Sequence, residues 1–402
     1  MAYTRWRSIL GLAAVCGCSS DSTGPKPDTR PTASTALALG ARFSCVLTSD
    51  AKSYCWGDDL FGQLGDSSFI PKLVPKLSVG GHSFTAIAAG NQTVCALDTG
   101  GGAWCWGDDP LQPGVALSYQ FAAVAVHASR ALFSIAAGRK FACGLDADGA
   151  AYCWGENGRG QLGVGDTLAH ATATKVTGGQ RFTSITTGFW HTCGLTAAGI
   201  TYCWGDNTYG ELGLGDTISS SAPKQISGTN TFRSITAGSI HECGITTTGS
   251  AVCWGANYTG QLGDGTANRR LTPTPSAPGL TFTILRAGRA NSIFANTCGV
   301  TTTGDVYCWG WNSRGQLGNA ASHDACIPAI GTATTFVCSY LPLKAAAISG
   351  VVAIDVGQEH VCALTSGGQL QCWGENAHGE LGDGTGVPQT TPVTVNGGLH
   401  YP

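Results

Sequence analysis

The chain has 402 residues and a formal net charge of −3, and only 12% of its residues are charged. No cluster of Lys and Arg occurs, so the sequence lacks the basic surface that nucleic-acid-binding proteins use. Its 18 cysteines are too many for a reducing cytosol unless they bind metal, which favours an oxidising compartment.

The first 18 residues resemble a secretory signal with a lipobox-like end. Two arginines precede an apolar run at 9–15, which is too short to span a membrane as a mature helix. The run ends in VCGCSS, which resembles the bacterial lipobox, so Cys18 is the predicted site of acylation. An ordinary signal peptide cut nearby is the alternative. Residues 19–35 are rich in Ser, Thr, Pro and Asp and are interpreted as a flexible tether.

One unit repeats seven times from residue 36 to residue 402. Two cysteines ten residues apart mark each unit, and Trp-Gly follows the second cysteine. The pairs are Cys45 and Cys55, Cys95 and Cys105, Cys143 and Cys153, Cys193 and Cys203, Cys243 and Cys253, Cys298 and Cys308, and Cys362 and Cys372. This period is typical of solenoids and propellers.

Each unit has the pattern of short strands. In the fourth unit, residues 182–187 alternate apolar and polar, and 191–196 and 200–204 flank the turn at 197–199. A further stretch at 222–226 contains a proline, which suits an outer edge strand. Seven units of four antiparallel strands, without a competing helical periodicity, predict an all-β, seven-bladed β-propeller over residues 36–402.

The hairpin explains the spacing of the cysteines. If the second and third strands pair around the turn, Cys193 and Cys203 lie opposite each other at Cα separations within disulfide range. All seven pairs are therefore predicted to be disulfides inside single blades. Zinc is the alternative, but one pair per unit does not supply four ligands. The tryptophans after the second cysteines lie on the opposite strand face and are predicted to pack between blades.

The repeat resembles a known family. Gly-x-x-His-x-Cys-x-Leu, a hairpin and Tyr-Cys-Trp-Gly-x-Asn-x-x-Gly-Gln-Leu-Gly together look like the regulator of chromosome condensation repeat, best matched at 188–213, 238–263 and 357–382. The resemblance covers all seven units and implies the seven-bladed fold. The founding member acts on a small GTPase and on chromatin, whereas secreted bacterial members include beta-lactamase inhibitory protein II. That precedent implies a propeller that binds a protein through one face.

Two loops of every blade, after its first and third strands, emerge on the same face, and the sixth unit departs most from the repeat there. Its inserts lie at 289–296 and 320–340, and the second carries Cys326 and Cys338, which are predicted to staple a projecting loop. Aromatic residues on these loops of units four and six are predicted to contact a partner: Phe189, Trp190, Tyr209, Phe294, Trp311, Phe336 and Tyr340. Packing of the same rings beneath the loops is the alternative.

Three histidines, His191, His241 and His360, share one repeat position. The recurrence favours a structural hydrogen bond in each blade over metal binding or catalysis. The Asp-Gly-Thr turns at 264–266 and 383–385 lack the ligands that calcium needs. No phosphate-binding or hydrolase motif occurs, so no catalytic residue, cofactor or metal site is predicted.

The sequence therefore favours a monomeric, non-enzymatic propeller held outside the cytoplasm by a lipid anchor, in the outer membrane, at the cell surface or in the periplasm. Its loop face is expected to bind a protein or a cell-surface polymer. A secreted polysaccharide lyase or hydrolase with a site at the channel mouth is the second hypothesis, and guanine nucleotide exchange by family resemblance is the third. Either a strand near Leu37 or residues 391–395 would complete the last blade.

Overall fold

The computed structural model describes residues 37–112, 118–289, 293–320, 324–326, 336–399 and 401. The predicted signal, Cys18 and the tether lie outside these residues. The described ranges contain 29 strands in seven antiparallel sheets. None of those ranges holds a helix long and apolar enough to cross a membrane. The prediction of an all-β, seven-bladed propeller is confirmed.

The strands follow one another around the ring in sequence order. Blade one contains β1 (Leu37–Leu39), β2 (Phe43–Leu47), β3 (Ser53–Gly57) and β4 (Lys72–Leu77). Blade two contains β5 (Phe84–Ala89), β6 (Thr93–Asp98), β7 (Ala103–Asp108) and β8 (Tyr119–Ala125). Blade three contains β9 (Leu132–Ala137), β10 (Phe141–Asp146), β11 (Ala151–Gly155) and β12 (His170–Lys175). Blade four contains β13 (Phe182–Thr187), β14 (His191–Thr196), β15 (Thr201–Gly205) and β16 (Ser220–Gln225).

Blade five contains β17 (Phe232–Ala237), β18 (His241–Thr246), β19 (Ala251–Gly255) and β20 (Arg270–Pro275). Blade six contains β21 (Phe282–Ala287), β22 (Asn296–Thr301), β23 (Val306–Trp311), β24 (Asp324–Cys326) and β25 (Phe336–Lys344). Blade seven contains β26 (Val351–Val356), β27 (His360–Thr365), β28 (Leu370–Gly374) and β29 (Gln389–Thr394). The insert of blade six thus adds a fifth strand, β24, outside β25.

The ring closes between blades seven and one without exchanging a strand. Blade seven is completed by its own β29, and the segment at Leu37 is the inner strand of blade one. Side chains join the two blades: the backbone N–H of Leu39 donates to Asp355 Oδ2 at 2.8 Å, and Trp56 Nε1 donates to the Glu380 carbonyl at 2.8 Å. These are contacts of the type made between other neighbouring blades.

Each blade carries the predicted cross-strand disulfide. Cys193 and Cys203 are directly opposed in the β14–β15 register, with their Cα atoms 4.1 Å apart. The other six pairs have the same Cα separation of 4.1 Å. The pair Cys326 and Cys338 is also bonded and joins β24 to β25. Each ten-residue closure stabilises its blade by at most about 2–3 kcal/mol through the lost entropy of the unfolded chain.

Every blade interface sets the disulfide of one blade against the tryptophan of the next. In the core between blades four and five, Cys193 and Cys203 pack with Phe232 and Trp254. The remaining six cores repeat this arrangement. Because cysteine and tryptophan project from opposite faces of one strand, each blade offers a disulfide to one neighbour and an indole to the other. The predicted packing of the tryptophans between blades is confirmed.

The glycine-rich loop after the third strand holds the tryptophan of the next blade. Trp204 Nε1 donates to the Gln161 carbonyl at 3.0 Å, and Asn157 Oδ1 accepts from the Leu162 N–H at 2.9 Å inside the same loop. Gly163 has φ +69°, and a Cβ there would lie 2.6 Å from Trp204 Nε1. The Trp-Gly-x-Asn-x-x-Gly-x-Leu-Gly motif is therefore a device for joining blades.

Blade two departs from the motif that holds the indole of the next blade. Its third strand ends at Asp108, and Asp109 and Pro110 follow in place of the Asn-x-x-Gly segment. Trp154 of blade three is fully buried, and its Nε1 has no acceptor among the described residues. The other six indoles donate to carbonyls of the preceding blade: Trp56, Trp106, Trp204, Trp254, Trp309 and Trp373.

The substitutions Trp204→Phe and Trp154→Phe separate this hydrogen bond from packing. Both keep a large ring between the blades, but only the first removes a bonded N–H. We expect Trp204→Phe to lower the free energy of unfolding by about 1 kcal/mol more than Trp154→Phe, measured by urea denaturation. Equal losses in the two variants would mean that the indole bond contributes nothing.

Candidate functional site: the loop face and the channel mouth

The loops between first and second strands surround the mouth of the central channel. Backbone hydrogen bonds join neighbouring loops: Ala41 N donates to Asn91 O at 2.9 Å, Ser239 N to Gly288 O at 3.1 Å, and Gln358 N to Ala41 O at 3.3 Å. Six of these loops begin at a glycine whose added Cβ would lie within 3.2 Å of a carbonyl oxygen of the neighbouring loop. The mouth is therefore a rigid ring that fixes the side chains it carries.

Arg289 reaches across this ring. Its Nη1 donates to the carbonyl of Ala137 at 2.9 Å, which links blade six to blade three. Burial lowers the pKa of Arg289, and the carboxylate of Asp355 opposes that effect; guanidinium groups nevertheless stay protonated at neutral pH. On the channel wall, Arg286 Nε lies 3.8 Å from Asp355 Oδ1. The first insert of unit six, noted from its length, thus supplies a charged group at the axis.

Phe189 and Trp190 form a cluster with two arginines. The two rings meet edge to face with centroids 4.6 Å apart. The Cζ of Arg139 lies 5.3 Å from the Phe189 centroid, and the Cζ of Arg159 lies 5.5 Å from the Trp190 centroid. Arg139 also approaches Glu156 at 3.9 Å. Both rings are half-buried, so this cation–π cluster presents a firm aromatic surface beside positive charge.

The aromatic residues of blade six divide into two places. Phe294 stacks on Trp311 with centroids 4.4 Å apart, and Phe336 lies 5.3 and 5.0 Å from them. Trp311 is only 5% exposed, so its ring supports Phe294 and Phe336 from beneath. Tyr340 packs elsewhere, against the loop of blade five, where a Cβ on Gly260 would lie 2.8 Å from its Cδ1.

Tyr209 pairs with Tyr258 of the next blade, edge to face at 6.0 Å. Sequence reasoning placed Tyr209 with Phe189 and Trp190, and it missed Tyr258 and the two arginines of the cation–π cluster. The signal for the arginines was their position in the loops of blade three, next to blade four in the ring. The contact of these aromatic residues with a partner stays a prediction.

A second exposed apolar surface lies on the outer rim of blade one. Seven of the fourteen exposed large apolar side chains among the described residues belong to this blade. They are Leu60, Phe69, Ile70, Leu73, Val74, Leu77 and Val79. Its outer strand β4 reads KLVPKL, whereas β16 in blade four reads SSAPKQ. Sequence reasoning on the repeat did not single out this strand, because the periodic cysteines and tryptophans lie elsewhere.

The three repeated histidines make the predicted structural hydrogen bonds, and each bond crosses to the next blade. The partners are Glu242 Oε2 for His191 Nε2 at 3.3 Å, Thr297 Oγ1 for His241 Nε2 at 2.9 Å, and Ser44 Oγ for His360 Nε2 at 3.0 Å. All three rings are buried. They join neighbouring blades.

Burial and charge set the protonation of these groups. Burial lowers the pKa of His241 and of His360 to about 3. Burial also acts on His191, but the hydrogen bond and charge of Glu242 outweigh it and raise the pKa of His191. His191 and Glu242 lie close to Cys193, but that sulfur is committed to its disulfide. With the sulfur in its disulfide, His191 Nε2 and Glu242 Oε2 form a buried polar contact at 3.3 Å.

Comparisons with known proteins agree with the repeat pattern. The model of the RCC1-like domain matches residues 14–299, and models of the Regulator of chromosome condensation (RCC1) repeat match 303–364 and 351–380. The Ultraviolet-B receptor UVR8 of Arabidopsis thaliana is 35% identical over 100 residues, which are 25% of this chain and 20% of UVR8. The E3 ubiquitin-protein ligase HERC2 of Homo sapiens is 30% identical over 100 residues, 24% of this chain and 2% of HERC2. The matches span a fifth or less of these relatives.

Solved structures share the architecture. Prp20p of Saccharomyces cerevisiae superposes with a TM-score of 0.75 at 18% identity, over 88% of this chain and 87% of Prp20p. The ectodomain of the Physcomitrella patens receptor kinase CR4 gives a TM-score of 0.52 at 26% identity, over 84% of this chain and 73% of that chain. The domain model covers more than half of the sequence and the blades carry its repeat motif, so the chain belongs to the RCC1-like domain family.

Proposed function

We propose that this protein is a non-enzymatic binding propeller that works outside the cytoplasm, anchored to a membrane by lipid at Cys18. The observation that carries the binding role is the cation–π cluster of Phe189, Trp190, Arg139 and Arg159 on the loop face. Aromatic and arginine side chains that are held rigidly at a surface are the residues that dominate protein interfaces. A protein partner therefore fits this face.

Relatives support a protein-binding use of the fold. The structure of Prp20p was described together with its binding to Gsp1p and histones, and yeast RCC1 was solved bound to Kap60. These partners belong to those proteins. Their bearing on this chain is that propellers of the same repeat type bind proteins.

The disulfides support a location outside the cytoplasm. Eight of them occur among the described residues, and disulfides persist in oxidising compartments. The similar propeller of CR4 is itself an ectodomain. A signal with a lipobox-like end fits the same compartment. Nucleotide exchange on a cytosolic GTPase does not.

The inner strands support a role without catalysis. A site at the channel would draw carboxylates or histidines from several blades toward the axis. The seven inner strands are β1, β5, β9, β13, β17, β21 and β26, and Asp355 is the one acidic residue in them, with no histidine. Asp355 accepts a hydrogen bond from Leu39 and pairs with Arg286. The seven inner strands themselves therefore contain no acid–base pair.

Site-specific photocrosslinking in intact cells of the native host tests the binding role. A benzophenone amino acid at Trp190 reports on the loop face. The same residue at Ala198, exposed in the hairpin turn of blade four, reports on the opposite face. We expect a discrete protein adduct at position 190 and none at 198, and we expect Phe189→Ala to weaken the adduct. Equal adducts from both faces, or none at 190, would contradict the proposal.

Intact mass of the natively exported protein tests the anchor and the compartment. We expect a mature chain that begins at Cys18 and carries added acyl mass. Reduction with alkylation should then reveal sixteen further thiols, two for each of the eight disulfides. An intact N-terminus with free thiols would contradict the proposed location.

A further inference from the structure

The mouth of the channel contains polar groups that the fold does not use. Asn91 is 7% exposed and Thr187 is 1% exposed. Asn91 Nδ2 and Thr187 Oγ1 have no hydrogen-bond partner among the described residues. Both residues line the same depression in the ring of first loops. A buried polar atom without a partner costs about 1–3 kcal/mol, so two at one place indicate a bound group that supplies the partner.

The same depression carries an excess of positive charge. Arg139 and Arg289 line it, and Arg286 lies three residues before Arg289 on the channel wall. The carboxylates close to these arginines are Glu156, 3.9 Å from Arg139, and Asp355, 3.8 Å from Arg286. Asp108 also interacts with the charge of Arg139 and pairs with Lys140 at 3.0 Å. Three guanidinium groups and the Lys140 ammonium therefore face three carboxylates. The hydrogen bond of Arg289 goes to a neutral carbonyl, and Asp355, the carboxylate that acts on its charge, already pairs with Arg286. Arg289 can therefore still attract an incoming anion.

The walls of the depression leave room only for a small group. Its cavity volume is about 10 Å³, which is room for one water-sized atom such as a single oxygen, and glycines of four successive blades line it. A Cβ on Gly90 would lie 2.0 Å from the carbonyl oxygen of Gly138, so the narrow opening depends on residues without side chains. Sites for drug-sized or cofactor-sized ligands have volumes of roughly 300–1,000 Å³. The end of one side chain fits this site better than a sugar ring or a nucleotide.

We propose that the channel mouth binds a carboxylate, carried by an Asp or Glu side chain of the protein partner. The Asn91 amide and the Thr187 hydroxyl donate hydrogen bonds to it, and Arg289 supplies the opposite charge. Charge-assisted bonds of this kind are short and strong. The inference rests on the proposed function, since it names the chemical group that the partner inserts. Phe189 lines the same depression, so the cation–π cluster contacts the partner surface around that group.

Saturation-transfer NMR on the full, disulfide-bonded protein tests the site without the partner. N-acetyl-aspartate amide serves as the probe, and N-acetyl-asparagine amide is the neutral control of nearly equal shape. We expect saturation transfer to the aspartate probe, with the asparagine probe binding about tenfold more weakly because the charge-assisted bonds are lost. Equal binding of the two probes would overturn the proposal.

Variants test whether the aspartate probe binds at the channel mouth. Asn91→Asp puts a negative charge where the amide stood, and Arg289→Gln removes the positive charge; both should abolish transfer to the aspartate probe. Arg314→Gln is the matched control, since Arg314 is an exposed arginine outside the depression that pairs with Glu375 at 2.8 Å. It should leave the transfer unchanged. Near-ultraviolet circular dichroism checks that each variant is folded, and Thr187→Val gives a second test in which no charge changes.

Two outcomes would overturn the carboxylate site. In one, Asn91→Asp and the unaltered protein give the same transfer. In the other, ³⁵Cl line broadening shows that chloride binds at the mouth, and the aspartate probe does not displace it. The two experiments together distinguish failure of the proposed binding function from failure of the carboxylate site. If the probe binds and no adduct forms at position 190, the mouth binds a carboxylate but the proposed protein-binding function is wrong. If adducts form and the probe does not bind, the partner docks without a carboxylate.

Discussion

Trp254→Ala is expected to lower the free energy of unfolding by about 3–5 kcal/mol, the cost of deleting a large buried side chain. The indole is fully buried between blades four and five, against Leu212 and Phe232. Its Nε1 donates to the Glu211 carbonyl at 3.0 Å. The loop glycines around it have no side chains that could fill the space. A cavity at one interface weakens the ring, because each blade is held mainly by its two neighbours.

Trp190→Ala is the matched control, since it deletes the same side chain from the loop face. Trp190 is half-buried and packs beside Phe189 and two arginines, so its loss should cost about 1 kcal/mol or less. Urea denaturation of both variants gives the comparison. The prediction fails if the two losses are equal. Trp190→Ala should nevertheless weaken binding of the partner, which separates the residues that build the ring from the residues that serve the face.

The local parts of the fold were predictable from sequence, because neighbours along the chain determine them. A three-residue turn and a spacing of ten place Cys193 opposite Cys203 in any tight hairpin, and the structure has that register. The alternation of side chains in a strand puts Trp204 on the other face, toward a neighbouring blade. Both steps need only strand geometry and the repeat.

Contacts between blades were less predictable, because they join residues about fifty positions apart. The repeat position of His191 indicated a hydrogen bond, but its partner Glu242 depends on how blade five sits against blade four. The strand that completes the last blade cannot be predicted from sequence for the same reason. Leu37 and residues 391–395 both read as strands, and only the register of the blades shows that each completes its own sheet.

In the candidate site, too, local features were predictable from sequence and contacts between blades were not. Inserts in unit six pointed to its loops, but not to a side chain that reaches the carbonyl of Ala137 on another blade. The sequence predicts that all seven loop aromatics of units four and six contact a partner. The ring geometry instead buries Trp311 and packs Tyr340 on blade five. Sequence identifies which loops vary, whereas neighbouring blades decide which of their side chains stay exposed.

Two buried histidines should make the protein lose stability in acid. Burial lowers the pKa of His241 and of His360 to about 3, whereas an unfolded histidine titrates near pH 6.5. Between these two pKa values the unfolded state binds a proton that the folded state does not bind. The free energy of unfolding therefore falls as the pH falls. The slope is about 1.4 kcal/mol per pH unit for each histidine.

Buried acids act in the opposite sense over part of this window. Burial raises the pKa of Glu211 and of Asp59 to about 7. Between their ordinary values and pH 7, the folded state keeps protons that the unfolded state releases, so these acids favour folding as the pH falls. Carboxylates such as Asp264, whose pKa is lowered by its bonds to Thr266 and Arg270 despite burial, add to the loss in acid. A variant that removes one histidine isolates the contribution of that histidine to the pH dependence of the unfolding free energy.

His241→Phe is that variant, and the chain itself supplies its precedent. Phe141 occupies the equivalent position in blade three, and the next blade offers Thr192 there as it offers Thr297 to His241. Thr192 and Thr297 both donate to a loop carbonyl at 2.8 Å, so Thr297 keeps a partner when the imidazole is gone. The variant should therefore fold, and at pH 8 it should lose only about 1 kcal/mol for the missing bond.

The decisive measurement is the difference in unfolding free energy between the unaltered protein and His241→Phe from pH 3.5 to pH 8, by urea denaturation. Above pH 6.5 the difference should be constant and favour the unaltered protein. Below pH 6.5 it should shrink by about 1.4 kcal/mol per pH unit and reverse sign, because only the unaltered protein must keep this imidazole neutral. A difference that stays constant over the whole range would show that His241 titrates alike in both states, and the burial argument for this repeat position would be wrong.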